Sequence, residues 1–204
     1  LDDPGLLSPE EAARARRFRG EDLARRYRRA HAALRILLGR EAGCAPTALP
    51  IVRAGGGKPR LRDAGLRFNL SHSDGLAAIV ITRGREVGID VEVRGRALGD
   101  VCALAGRACH PREAEALARI EAQGREDAFL RLWTVREAVL KGMGTGLAAP
   151  PETVEVRAVL DGVQTLAWGG WTVMTVPAPA ACFLAVAAEG KGWGYRLVSP
   201  LFGG

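Results

Sequence analysis

Two carboxylates sit where a strand should be apolar. The stretch Val87-Gly88-Ile89-Asp90-Val91-Glu92-Val93 alternates so that Val87, Ile89, Val91 and Val93 share one face and Gly88, Asp90 and Glu92 the other. The strand rise puts the two acids about 7 Å apart on one side. Neighbouring carboxylates repel, and burying them is costly unless a cation stands between them. One reading is an oxygen-lined divalent cation site, for which Mg²⁺ favours a few carboxylates plus substrate phosphate. The other is a strand with one wet face.

A second group lies on a helical stretch, Phe129 to Leu147. Glu137 and Lys141 are four apart and share a face, with Trp133 one turn earlier. A Glu–Lys pair at this spacing is a common surface ion pair worth a few tenths of a kcal/mol. A large apolar ring beside it fits a groove better. There Glu137 supplies a third carboxylate or a general base, and Lys141 neutralises a phosphate. Ser71, His72 and Ser73 offer hydrogen-bond donors next to a strand end, at the start of a glycine-containing turn. They suit phosphate oxygens, and equally an ordinary turn. No GxSxG motif supports a serine hydrolase. Gly55-Gly56-Gly57-Lys58 is not a phosphate-binding P-loop, because no GK[ST] follows. Lys58 can still reach a phosphate from a mobile loop.

The elements that must hold these residues are legible in outline. Ser8-Pro9-Glu10-Glu11 predicts a capped helix start. Gly20 interrupts that helix, and Glu21 to Gly39 forms a second one with Leu23, Tyr27, His31, Leu34, Leu37 and Leu38 on its apolar stripe. Strands are predicted at 68–70, 76–82 and 86–93, and a linker at 94–99. His110-Pro111 opens a helix, a strong helix runs from Glu126 to Gly142, and Met143-Gly144-Thr145-Gly146 ends it. From Thr153 to Val198 the chain reads as strands, broken at Asp161-Gly162, Gly169-Gly170 and Pro177–Pro179. The strand–turn–strand stretch at 75–92 is echoed at 181–198, which predicts two similar α+β halves.

The chain has 204 residues, 48% hydrophobic and 25% charged, ordinary for a globular protein with a real core. No apolar run approaches a membrane span. No charged start leads into an apolar core and cleavage site, so the expected location is the cytoplasm. The four cysteines make no CxxC pair and are expected as free thiols. Net charge is +6, and ten arginines against two acids lie between Arg14 and Arg40. This predicts a positive field for phosphates or an acidic partner; a solvated helix face is the plainer alternative.

Four blocks, "GGKPRL" at 56–61, "FNLSHSDGLAAI" at 68–79, "VGIDVE" at 87–92 and "FLRLWTVREAVLKGMGTGL" at 129–147, stand in an order that resembles the 4′-phosphopantetheinyl transferases, specifically the monomeric two-lobed group typified by the surfactin-synthetase activator. "ARRFRGEDLARRY" at 15–27 is a weaker match. The resemblance implies an α+β fold of two pseudo-symmetric lobes, 1–97 and 98–204, each a small antiparallel sheet packed with helices, with the active site between them. It implies transfer of 4′-phosphopantetheine from coenzyme A to a serine of an apo acyl or peptidyl carrier protein, with Mg²⁺ as cofactor and 3′,5′-ADP released. It places Asp90, Glu92 and Glu137 at the metal. Glu137, Lys141 and His72 take catalytic roles, and Arg14, Arg17, Arg26, Lys58, Ser71, His72 and Lys141 contact coenzyme A. The expected partner is an acidic carrier protein, with neither nucleic acid nor membrane involved. Three positions depart from the family's pattern. Arg136 replaces a lysine, Glu11 stands at a basic position, and His110 replaces a serine-like helix cap, which predicts a weaker cap.

Three rivals keep other classes open. A basic nucleic-acid binder would use the Arg14–Arg40 helices and leave the acids on the surface. A Mg²⁺-dependent nuclease would share the carboxylates. An inactive member would serve as an interaction module.

Overall fold

Ser8 caps the first helix in the way the sequence predicts: its hydroxyl accepts from the Glu11 N–H while the Glu11 carboxylate accepts from the Ser8 N–H. The structure is a computed structural model and describes residues 1–53, 57–62, 65–95, 97–145, 150–178 and 182–198. It divides into two compact units. One takes Leu1–Ile51, Leu61–Ala64 and Gly192–Gly204, the other Val52–Arg60 and Gly65–Lys191.

The first unit is built on α1 (Pro9–Ala15) and α2 (Glu21–Ala42). Gly20, at φ 107°, makes the predicted break between them. Tyr27, His31, Leu34 and Leu38 are buried along α2, Leu37 is half-buried, and Leu23 in the first turn is exposed and lies off the predicted stripe; the helix ends at Gly43 in the left-handed region. At least four of the ten arginines meet carboxylates within this unit: Arg25 with Asp22, Arg28 with Glu21, Arg29 with Asp2 and Arg35 with Glu11. The positive field read from the arginine count is therefore partly cancelled.

β1 (Ile51–Val52) and β2 (Arg60–Leu61) are two-residue strands. In the second unit, β3 (Leu66–Ser73) and β4 (Leu76–Arg83) form an antiparallel hairpin. Its two-residue turn, Asp74-Gly75, has positive φ at both positions, 42° and 86°, as a tight hairpin requires. Ser71, His72 and Ser73 thus belong to the strand and not to the turn the sequence suggested. β5 (Val87–Val93) joins a four-stranded antiparallel sheet in the order β5-β8-β7-β6, with β6 at Thr165–Trp168, β7 at Trp171–Thr175 and β8 at Cys182–Glu189. Its other edge is closed by side chains. The N–H groups of Ile89, Val91 and Val93 donate to Asn69 Oδ1, Ser71 Oγ and Ser73 Oγ of β3 at 3.0, 3.4 and 3.2 Å. Three alternate residues of β3 thereby take the place of a backbone ladder.

The helices are α3 (Val101–Ala108), α4 (Pro111–Arg119) and α5 (Ala122–Met143). α5 is the central helix, buried nearly all round. Phe129, Leu132, Val135 and Val139 pack with Val173, Ala185, Ala187 and Leu117, each large apolar side chain contributing about 1.5–3 kcal/mol. The α+β class, small antiparallel sheets packed with helices, is the one expected.

Several expectations shift. α3 was not anticipated, and α5 begins four residues earlier than predicted. The echo is half kept: β8 forms, but residues 193–198 make no strand, and Tyr195, Leu197 and Val198 stay exposed, so no apolar face drives pairing. Gly55, Gly56, Gly146 and Pro179 lie outside the described residues. No described helix is long and apolar enough to cross a membrane.

Candidate active site

Gly88 lets β5 touch α5 directly. A Cβ there would fall 2.0 Å from the Ala138 carbonyl oxygen and 2.3 Å from the Gly142 nitrogen, so only hydrogen fits. Gly142 in turn lies under the Trp171 ring, 2.5 Å from where its own Cβ would be. These contacts bring Asp90, two residues along β5, against the last turns of α5, which carry Glu137 and Lys141. The wet-face reading of β5 fails: Asp90 is only 3% exposed.

Lys141 Nζ donates to Asp90 Oδ1 at 2.5 Å and to Ser71 Oγ at 3.0 Å. The Ser71 hydroxyl donates to the same Asp90 oxygen at 2.8 Å. Among the described residues, the buried Oδ2 of Asp90 has no hydrogen-bond partner. Burial pushes the Asp90 carboxyl above its usual range, although Lys141 and Ser71 pull it down; nearby Glu92 pushes it up further. Burial likewise raises Glu137. Lys141 opposes this, while the Asp90 and Glu92 charges add to it. Glu137 therefore shares one electrostatic neighbourhood with both strand acids, and among the described residues no hydrogen bond ties up its carboxyl. Glu92 is half-buried and accepts from the Ser73 hydroxyl at 3.0 Å.

Among the described residues, no three His, Cys, Asp or Glu side chains make a ready metal cage. The donor set nonetheless fits Mg²⁺. That ion takes one or two protein carboxylates and completes its shell with water and phosphate, and the buried Oδ2 of Asp90, without a hydrogen-bond partner among the described residues, is an oxygen of the kind it takes.

Of the remaining predicted site residues, Ser71 is bonded to both Asp90 and Lys141. Ser71 is buried, and its hydroxyl is saturated: its proton goes to Asp90 and its lone pairs to Lys141 and the Val91 N–H. In this arrangement it orients the acid and the lysine and has nothing left for a phosphate. His72, next in the strand, points to the opposite face and is exposed. Lys58 is no mobile phosphate hook here. Its ammonium donates to Glu86 Oε2, the Val87 carbonyl and the Gly142 carbonyl at 2.9, 2.6 and 3.0 Å, which spends all three donors. Arg14, Arg17 and Arg26 are exposed in the first unit, Arg14 lying 5.8 Å from the Tyr27 ring centroid.

The family departures find structural explanations. Arg136, beside Glu137 in sequence, points into the core. It pairs with Glu113, both side chains 0% exposed, and reaches Val154 O and Cys109 Sγ at 3.2 and 3.4 Å. Glu113 also accepts from the His110 and Val156 N–H groups. His110 does cap α4, its Nδ1 accepting from the Arg112 N–H, so the substitution keeps the cap. Glu11 is a structural anchor that meets His31 Nδ1 at 3.1 Å and Arg35 Nε at 2.6 Å. Sequence reasoning missed Asn69 and Ser73 as strand partners, although their alternation with Ser71 was visible. It also missed Glu86 and Glu113, whose partners lie far off in the chain.

The family model for the 4′-phosphopantetheinyl transferase superfamily matches residues 86–178, which hold β5 and all of α5. The chain is similar to the 4′-phosphopantetheinyl transferase HetI of a Nostoc species, 34% identical over 191 residues, covering 92% of this chain and 80% of the relative. It is also similar to the 4′-phosphopantetheinyl transferase Sfp of Bacillus subtilis, 27% identical over 158 residues, covering 77% and 69% of the two chains. With the likeness to HetI running through nearly the whole chain, and the matched segment holding the carboxylates and lysine described above, the chain belongs to the 4′-phosphopantetheinyl transferase superfamily and is an enzyme of that kind.

Proposed function

We propose that this phosphopantetheinyl transferase takes coenzyme A as donor, uses Mg²⁺, modifies a serine of an acyl or peptidyl carrier protein and releases 3′,5′-ADP. The observation that carries the reading is the unpartnered, buried Asp90 Oδ2 beside Lys141, with the Glu137 carboxyl in the same field. The proposed division into lobes near residue 97 belongs with it. Asp90 and Glu92 precede that boundary, and Glu137 and Lys141 follow it.

The serine oxygen attacks the β-phosphorus of coenzyme A. A new O–P bond forms, and the bond from that phosphorus to the bridging oxygen breaks, so 3′,5′-ADP leaves with the electron pair. The serine proton passes to the Glu137 carboxylate. Burial raises its affinity for a proton, Lys141 opposes this and the two neighbouring acids add to it, which is the direction a general base needs. Lys141 supplies positive charge where the phosphoryl oxygens gain negative charge. His72, exposed on the other face of β3 from Ser71, is the proposed hydrogen-bond donor to a coenzyme A phosphate away from the Asp90–Lys141 pair. Asp90, Glu92 and Glu137 would hold Mg²⁺, which when bound neutralises pyrophosphate charge. The exposed Arg14, Arg17 and Arg26 are the proposed contacts for the 3′-phosphate. The net charge of +6 favours encounter with an acidic carrier.

The test incubates the protein with coenzyme A, Mg²⁺ and apo carrier proteins of fatty acid, polyketide and peptide type. The expected result is a gain of about 340 Da on one carrier, the mass of one phosphopantetheine on serine. No gain on any carrier at any Mg²⁺ concentration rules the reading out.

A further inference from the structure

Lys58 is far more constrained than a surface lysine. Its side chain is 5% exposed, and its stem packs on Gly144, whose added Cβ would come 3.3 Å from Lys58 Cβ. One of its acceptors, Val87 O, opens β5. Another, Gly142 O, lies in the final turn of α5, where helix carbonyls have no partner of their own and the helix dipole is negative. The third, Glu86, balances the buried charge and also accepts from Arg60 and Arg67 at 2.7 and 3.0 Å.

The two carbonyls flank the site. Val87 is three residues from Asp90 on β5, and Gly142 directly follows Lys141 on α5. Between them β5 meets α5 at Gly88, with no side chain as spacer. Sliding the strand along the helix by a fraction of an ångström would change the Lys141–Asp90 contact; the Lys58 bonds tie the start of β5 directly to the end of α5, while Lys141, with Ser71 as a bridge, ties it further along at Asp90 and Val91.

We propose that Lys58 is a positioning residue for the transfer reaction: its ammonium pins the start of β5 to the last turn of α5 and thereby sets the spacing at which Asp90 meets Lys141 and Glu137. The inference rests on the functional reading above. It differs from a phosphate-binding role for Lys58 in what it predicts for each kinetic constant.

Lys58→Met keeps the apolar stem and removes the three donors. Displacement of catalytic groups by about 1 Å costs on the order of 100-fold in rate. The expected result is therefore a fall in kcat of about 10- to 100-fold, with KM for coenzyme A changed by less than about twofold. The same fall is expected with 3′-dephospho-coenzyme A. A rise in KM at constant kcat, a loss that shrinks with the dephospho substrate, or no loss at all overturns the proposal. Glu86→Gln provides a gentler variant should Lys58→Met fail to fold. It leaves both carbonyl bonds in place, so kcat is expected to stay within about threefold and KM to hold. A lower KM, as if the lysine had been released toward substrate, overturns the proposal. Amide hydrogen exchange supplies an arm independent of activity. Faster exchange at Leu140–Gly144 and Val87–Asp90 than in the parent is expected in Lys58→Met, or to a smaller degree in Glu86→Gln, and unchanged exchange in both overturns the fastening. An inactive parent protein with that exchange pattern intact would sink the functional reading and leave the fastening standing.

Discussion

Lys141 and Ser71 both hold Oδ1 of Asp90, and neither touches Oδ2. The carboxylate is thus clamped on one side and bare on the other. Ser71→Ala removes the clamp's pivot. Lys141 loses one of two partners and the buried Val91 N–H loses its acceptor, a cost of about 1–3 kcal/mol for an unsatisfied buried group. Denaturant unfolding should show that loss. Transfer should fall roughly tenfold or more through kcat, because the orientation of Asp90 and Lys141 is impaired and not a phosphate contact. Ser71→Thr, which keeps the hydroxyl, should recover most of both.

The bare oxygen leads to a measurement on the resting protein. An ion that binds the folded site stabilises it by mass action. Mg²⁺ at ten times its dissociation constant should raise Tm by roughly 2–5 °C in a protein of this size. Asp90→Asn should remove the rise. An equal rise in both proteins would place the cation elsewhere.

How much of this was legible depended on whether the partner was near in sequence. The alternation of β5 is local, so Asp90 and Glu92 could be read as facing one way. The shared face of Glu137 and Lys141 is equally local. Glycine turns at Gly84 and Gly169-Gly170 and the capping box at Ser8 are local too. What no local pattern reports is which distant group meets a side chain. Arg136 adjoins Glu137, yet the helix turns it about 100° away into the core, where it meets Glu113 from 23 residues earlier. Lys58 looked like loop chemistry because Val87 and Gly142, 29 and 84 residues away, gave no sign in sequence of waiting for its donors. The arginine-rich segment looked more positive than it is because Asp2 and Glu11, outside the counted stretch, neutralise Arg29 and Arg35.

The Arg136–Glu113 pair separates stability from catalysis. Both side chains are fully buried, and besides balancing a guanidinium that also touches Cys109, Glu113 carries two further duties: it completes the α4 capping box and accepts from Val156. Removing one partner of a buried pair costs about 3–5 kcal/mol, since the other is left uncompensated. Glu113→Ala should therefore lower unfolding free energy by about that much. Its kcat per folded molecule, measured well below the melting range, should change little. A large loss of kcat in a variant that is still folded would mean that Arg136 reaches the active site after all.

Glu11 predicts the acid limit of the first unit. Burial alone would raise its pKa, but hydrogen bonds from His31, the Ser8 N–H and Arg35, together with the charge of Arg35, bring it down to about 2 from 4.5. A carboxylate with a depressed folded-state pKa stabilises the fold above its unfolded pKa and loses that stabilisation as the pH falls through the folded value. The window therefore runs from about pH 4.5 down to about pH 2. The contribution is on the order of 2 kcal/mol once partial solvent screening is allowed for. Glu11→Gln should be less stable than the parent at pH 7 by that order, and the gap should close as pH drops through the window. Denaturant unfolding of the two proteins at pH 7, 4.5, 3.5 and 2.5 measures it. A gap that stays constant across those pH values would mean that packing and capping, not the charge of Glu11, hold α1 against α2.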